Sequence, residues 1–519
     1  MESSGRDNYG FNAEEKHGAA TREKLKAERK EKKRKCKEKW TCCQITLLVL
    51  SLLTVAVSVA LLIAFPAMFN AILSAKMEVV EGSYSYQLWH NTPVPIFLRF
   101  YIYNLTNSKD FSAGAKAVLQ EVGPYVYREY HKKKNISFHD NNTVTFYQQR
   151  WWTWDQEASG NLTQEDKVVI LNTVPVAAAW TLYRNQPFIL GLLNTFFNLV
   201  HEDLIVTTTV GKVLFDGFTD PLLTATHLGD DSSFPSFLPP GLSAYDKFAW
   251  FYKRNNSLTY DGLFNMYNGH DTLDKLGVMD WWNYGNETDF FDYPCNLVEG
   301  SAGELWPPGQ QNTNISLFSP DLCMTMTLYY KEEVKNNGLP GYRYWGTNET
   351  FPGDGCYCID KVCAPLGLVN AETCRMGAPA FVSFPHFLHA DPSLLDAFEG
   401  VSPPDPDKHS FVLDMIPEVG IPIKVMARMQ INMLVRPYEK IKILKNVKEA
   451  YLPLLWFEEE AVIPDYMARQ LQVLLVIMNT PTVYIVLGVI LVLGVIGATL
   501  VTTRHYKKAK RDRERASKS

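Results

Sequence analysis

The chain has 519 residues, 21% charged and 46% hydrophobic, with a formal net charge of −5. Residues 1–40 carry 13 Lys+Arg against 8 Asp+Glu and residues 504–519 carry 8 against 2, so the stretch between the two tails is strongly acidic. That distribution disfavours nucleic acid as a partner. The sequence holds no G-x-S-x-G, H-E-x-x-H, P-loop or G-x-G-x-x-G pattern, so no enzyme, cofactor or metal site is expected.

In chain order, a basic tail (1–40) leads into an uncharged stretch from Trp40 to Ala75 whose apolar centre runs Ile45 to Phe65. A helix of about 20 residues spans the hydrocarbon core of a bilayer. Residues 41–73 are therefore expected to be a first transmembrane helix. The run is too long for a cleaved signal and reads as a signal anchor. Cys42 and Cys43, at the interface, are candidates for palmitoylation.

Residues 74–480 read as one outer domain. FLRFYIYNLTN, GPYVYREYHKK and ISFHDNNTVTFYQQRWWTW alternate aromatic or β-branched residues with polar ones and read as strands, with N-N and G-P marking turns. Ala177–Arg184, Val210–Phe215 and the apolar Pro187–Val200 read as a helical cluster. Strands return after Asp246. The last pair turns at Gly420-Ile421-Pro422, and Val425, Ala427, Met429, Ile431 and Met433 share one face. The fold class expected is α+β with a large, mostly antiparallel sheet.

A second uncharged stretch, Gln470–Thr503, gives a second transmembrane helix (481–503), followed by a basic tail (504–519). The positive-inside rule places both tails in the cytoplasm. Ala56 and Ala60 in the first span, and Gly494 and Ala498 in the second, permit close helix contact, including in a homo-oligomer.

Eight N-x-S/T sequons, at Asn104, Asn135, Asn141, Asn161, Asn255, Asn286, Asn314 and Asn348, all lie between the spans, which marks that region as the glycosylated, outward side. Six of the nine cysteines cluster there: Cys295, Cys323, Cys356, Cys358, Cys363 and Cys374. In an oxidising compartment they imply three disulfides, and six cysteines allow 15 pairings. A metal site in C-x-C-x4-C is the weaker alternative, because His386 and His389 sit in an apolar F-P-H-F-L-H context that suits packing. The tryptophans Trp151, Trp152, Trp154, Trp281 and Trp282 read as core or strand-pairing residues before they read as a ligand groove.

Several segments together resemble the class B scavenger receptors, the family of the fatty-acid translocase, the high-density-lipoprotein receptor, the lysosomal integral membrane protein and the sensory neuron membrane proteins. They are QEVGPYVYREY (Gln120–Tyr130), FTDPLL (Phe218–Leu223), PAFVSFPHFLHADP (Pro379–Pro392) and FVLDMIPEVGIPIKVMARMQINMLVRP. The resemblance covers roughly Ile45–Val501. It implies a barrel-like body with an apical helical bundle, a lipid tunnel, and no covalent chemistry. It implies the pairings Cys295–Cys356, Cys323–Cys374 and Cys358–Cys363, and it points to Phe188 as a residue of ligand capture. Leu192, Phe196 and Phe197 lie on the same apolar segment and are carried as lipid-binding candidates. Family apical lysines are replaced by Leu199 and His201, followed by Glu202 and Asp203, which favours neutral cargo such as sterol, carotenoid or acylglycerol.

The function expected is a plasma-membrane receptor for lipid or lipoprotein ligands that passes lipid to the membrane. Alternatives are a chemosensory co-receptor that hands an apolar odorant to a channel and, from other classes, a two-span ligand-gated channel or an ectoenzyme.

Overall fold

Alternation of apolar and polar side chains drives most of this chain into strands, because successive residues of a strand face opposite sides. The computed structural model describes residues 24–28, 40–228, 245–353, 355–359, 363–375, 377–478 and 480–518. Most of the basic N-terminal tail lies outside these residues. The chain divides into two units: Ile72–Gln472, and Met1–Ala71 together with Val473–Ser519.

The terminal unit contains two helices long and apolar enough to cross a membrane among the described residues. Helix α1 is Cys42–Met77, four residues past the expected end of the first span. The C-terminal helix, Thr480–Ser517, runs through the second span and continues into the basic tail. That tail is rich in Lys and Arg, good helix formers, and carries neither Gly nor Pro, so nothing stops the helix at the end of the apolar run. A Cβ on Gly494 would lie 3.0 Å from Val55, and one on Gly497 would lie 2.8 Å from Ser51. Glycine at both positions lets the helices approach this closely.

The larger unit is built on strands β1 (Ile96–Leu105), β2 (Ala117–Phe138), β3 (Thr143–Trp154), β4 (Lys167–Leu171), β5 (Ile205–Thr209), β6 (Leu263–Tyr267), β7 (Met279–Trp282), β8 (Asn314–Ser319), β9 (Met324–Asn336), β10 (Leu339–Trp345), β11 (Leu368–Asn370), β12 (Ala380–Ser383), β13 (Phe398–Glu399), β14 (Val412–Ile416), β15 (Ile421–Val435) and β16 (Ala450–Val462). The main sheet runs β7-β6-β3-β2-β1-β16-β15-β14-β10-β9-β8, with β12 on β15, β11 on β12 and β13 on β2. Every pairing is antiparallel except β13 on β2. Ser301 bridges Val278, beside β7, and Leu317, in β8, so the two ends of the sheet nearly meet. The result is the barrel-like body expected.

The turn expected at Gly123-Pro124 is not a turn. Strand β2 continues through it as a bulge: Phe100 pairs with Tyr125, whereas Ile102 pairs with Val122. Gly123 has φ +149°, and a Cβ there would lie 2.6 Å from the Phe100 carbonyl oxygen. The Gly-Pro pair therefore marks an irregularity inside the strand, where glycine admits the close approach and proline leaves no amide to be paired.

Two of the expected helical segments form α2 (Thr173–Asn185) and α3 (Leu190–Val200). The third, Val210–Phe215, folds as a π-helical turn over Lys212–Asp216, and a helix not expected from sequence, α4 (Pro221–Leu228), joins the cluster. Asn172 caps α2, its Oδ1 accepting from the Val174 amide. Its Nδ2 donates to Glu202 Oε1 at 2.9 Å and to Asp220 Oδ2 at 2.7 Å. Glu202, one of the two acidic residues that follow His201, is thus buried. Burial and the neighbouring Asp220 carboxyl push its pKa up to about 9.

Candidate functional site

Strand β2 turns Tyr125, Tyr127, Glu129, His131 and Lys133 to the inside, and all five are buried. Their strict i, i+2 spacing puts them on one face of the strand. The inner face therefore grades from aromatic to charged along one strand. On β3, Arg150 and Trp152 face the same interior, Glu129 pairing with Trp152 across the ladder.

Between these strands, β15, β16 and the bases of α2 and α4 lies a cavity of about 250 Å³. Its apolar wall includes Met429, Ile431 and Met433 of β15, Phe457 of β16, Val174 of α2 and Leu223 of α4. The period-2 face of β15 identified from sequence is thus in part cavity wall. The opposite end is charged, with Glu129, Arg150, Arg254, Asp321, Arg375 and Glu459.

That end is a continuous network. Arg150 Nε donates to Asp261 Oδ2 at 2.7 Å, and Arg254 Nη2 reaches Asp261 Oδ1 at 3.0 Å and Asp321 Oδ1 at 2.7 Å. Arg375 Nη2 lies 3.3 Å from Asp321 Oδ1. His131 Nε2 lies 2.7 Å from Glu129 Oε1, and Lys133 Nζ donates to Glu304 Oε1 at 2.6 Å and also to Gln148. Burial alone would lower the His131 pKa, but hydrogen bonding to Glu129 and Glu304 overrides it and holds it up at about 9. Burial opposes ionisation of Glu304, yet Lys133 and His131 beside it bring it down to about 2. Burial and the Glu129 charge push Glu459 up to about 7. Ligand atoms of Glu129, His131 and Glu459 lie within 4.8 Å of one another, a spacing that could hold a cation. The nearby Arg150 and Lys133 charges oppose one.

The lipid-binding candidates are not gathered at this cavity. Phe188, in the 3-10 turn Pro187–Ile189, is 76% exposed, and Leu192 on α3 is 51% exposed. Phe196 is partly buried against the helical core, and Phe197 is 2% exposed within it. His386 is buried, but it is bonded as well as packed: Nε2 lies 2.7 Å from Glu121 Oε2, and the ring stacks on His409 at 3.9 Å.

Disulfides join Cys323 to Cys374 and Cys358 to Cys363. Cys295 is also disulfide-bonded, and the side chain of Cys356 lies outside the described residues. Cys42 and Cys43 are free and exposed. Of the eight sequon asparagines, Asn104 alone is partly buried, its Oδ1 accepting from the Val169 amide at 2.8 Å, and the others are exposed.

This body, its helices and the two terminal spans match one family along nearly the whole chain, over residues 47–504. The chain belongs to the CD36 family. It is 30% identical over 435 residues to scavenger receptor class B member 1 of Bos taurus, covering 83% of each chain. Against protein peste of Drosophila melanogaster it is 30% identical over 476 residues, 89% of this chain and 83% of that one. Against sensory neuron membrane protein 2 of Heliothis virescens it is 27% identical over 441 residues, 79% and 83% respectively. The scavenger-receptor relatives and the two candidate spans make this CD36-family chain a membrane receptor.

The charged interior was not identified from sequence. Its one signal is the alternation Tyr125, Tyr127, Glu129, His131, Lys133, in which charged residues continue the phase of buried aromatics.

Proposed function

We propose that this chain is a cell-surface receptor that takes up lipid from lipoprotein or free lipid ligands and conducts it, one molecule at a time, to the membrane. The observation that carries this reading is the cavity wall of Met429, Ile431, Met433 and Phe457 between the sheet and the helices. An acyl chain or sterol exposed to water costs about 0.8 kcal/mol per CH₂, and an apolar route removes that barrier. Phe188 and Leu192, exposed on the helical cluster, are suited to first contact with an apolar ligand. The basic tails place both termini in the cytoplasm. The exposed Cys42 and Cys43 are palmitoylation sites in this reading, and the exposed sequon asparagines carry glycans. Cys295 pairs with Cys356.

The test is uptake by cells expressing the chain, offered labelled cholesterol ester, carotenoid, fatty acid and acylglycerol. Phe188→Glu, Ile431→Trp and an empty vector serve as controls at matched surface display. Selective uptake lost in Ile431→Trp supports the conduit. Uptake at wild-type level in Ile431→Trp, or none above empty vector for the wild type, refutes it.

A further inference from the structure

The charged end of the cavity carries three polar atoms that make no hydrogen bond among the described residues: Glu129 Oε2, Trp152 Nε1 and Arg254 Nε. All three residues line the cavity and are more than nine-tenths buried. The Trp152 indole lies beside the Glu129 carboxyl, but neither Nε1 nor Oε2 completes a hydrogen bond. Leaving such atoms unsatisfied costs about 1–3 kcal/mol each. The set comprises two donors and one acceptor.

Charge narrows what could satisfy them. The connected network contains five carboxylates (Glu129, Asp261, Glu304, Asp321, Glu459) and four cations (Lys133, Arg150, Arg254, Arg375). A carboxylate head group accepts but cannot donate, so it would leave Glu129 Oε2 unsatisfied and set a second negative charge beside it. A hydrocarbon offers neither donor nor acceptor. A hydroxyl accepts from an N–H and donates to a carboxylate oxygen without changing the charge.

Resting on the conduit reading above, we propose that Glu129, Trp152 and Arg254 form a head-group site for a lipid alcohol, whose chain or ring system lies along the Met429–Met433 wall. Lys247 also lines the cavity, outside the network, and the carboxylate arm of the experiment tests whether it redirects the preference.

The experiment is equilibrium binding of tritiated 1-hexadecanol, hexadecanoic acid and hexadecane to the detergent-solubilised full chain. Wild type is compared with Trp152→Phe, Glu129→Gln and Ile431→Trp, each checked by thermal melting. Hexadecanol is expected to bind wild type at least tenfold more tightly than the other two probes. Trp152→Phe keeps an aromatic ring and removes one donor. It should weaken hexadecanol roughly tenfold, the effect of about 1.4 kcal/mol, and leave hexadecane unchanged. Glu129→Gln removes one negative charge and should shift preference toward hexadecanoic acid by tenfold or more. That readout stands even if Trp152→Phe fails to fold. Equal binding of the three probes, tightest binding of the acid, or equal loss of all three in Trp152→Phe overturns the head-group site. If the probes still compete for a site abolished by Ile431→Trp, the conduit reading survives that failure. If no probe binds wild type, both readings fall.

Discussion

Alkaline pH should loosen the larger unit, and His131 and Glu202 together set the slope. Its side chain is 8% exposed and lies 2.7 Å from Glu129 Oε1. Burial works against the imidazolium, but the carboxylates of Glu129 and Glu304 hold its pKa at about 9, above the ordinary 6.5. A group whose pKa is higher in the folded state contributes stability that is complete below the unfolded value and lost as pH rises through the folded one. The window is therefore pH 6.5 to 9, and the displacement corresponds to about 3 kcal/mol. Glu459 and Glu202 act in the same direction, because carboxyls raised to about 7 and about 9 oppose folding once ionised, Glu459 at lower pH and Glu202 through the whole window. Glu304, held near 2, acts oppositely: its contribution is present above 4.5 and lost only as pH falls toward 2. For a unit of about 400 residues, 3 kcal/mol shifts Tm by about 4 °C. Thermal melts of the detergent-solubilised chain from pH 5 to 9.5 should fall steadily, and His131→Gln should roughly halve the slope above 6.5, the remainder belonging to Glu202. Parallel curves for wild type and variant would show that His131 does not carry the linkage.

Lys133→Met leaves Glu304 without its closest cation and should destabilise by about 3–5 kcal/mol, whereas pairing it with Glu304→Leu should recover much of the loss. A double-mutant cycle by chemical denaturation measures this, and an additive cycle would contradict it. Removing Cys323–Cys374, which closes a 51-residue separation, should cost about 4 kcal/mol, against about 2 for the 5-residue Cys358–Cys363 link. Melts of the paired serine variants give the ranking. Glycan occupancy, read by mass spectrometry of tryptic peptides, should be lowest at Asn104, the partly buried sequon held against β4.

Much of this architecture was legible in the sequence because it rests on local periodicity. The uncharged runs Ile45–Phe65 and Val483–Val501 became helices, and β1, β2, β3 and β15 formed as strands where alternation placed them, although β15 buries both faces, Arg428, Gln430 and Asn432 included. The Gly123-Pro124 bulge was misread because a turn and a bulge use the same residues, and only the partner strand's register tells them apart. The charged interior was illegible for a different reason. Charged side chains are rarely buried unless paired, so E-Y-H-K-K reads as solvent-facing. The partners that permit burial lie far along the chain: Glu304 is 171 residues from Lys133, and Asp261 is 111 from Arg150. Nothing local announces such a pair.

A body that keeps charges inside gains little stability from them, since desolvating each ion offsets most of the attraction. What the network does supply is rigidity of position, because its central ions are held by two or more partners: Arg254 grips both Asp261 and Asp321, and Asp321 in turn holds Arg150 and Arg375. The two ends of the cavity should therefore answer mutation differently. At the apolar wall, Met429→Leu conserves volume and should cost less than about 1.5 kcal/mol. At the charged end, even the near-isosteric Asp261→Asn leaves Arg150 and Arg254 sharing one fewer charge, and the loss propagates through every member of the network. In the proposed reading, a cavity with one plastic end and one rigid end would hold a polar head in a fixed place while tolerating variety in what trails behind it, and a receptor so built would sort ligands by head group and accept many chains.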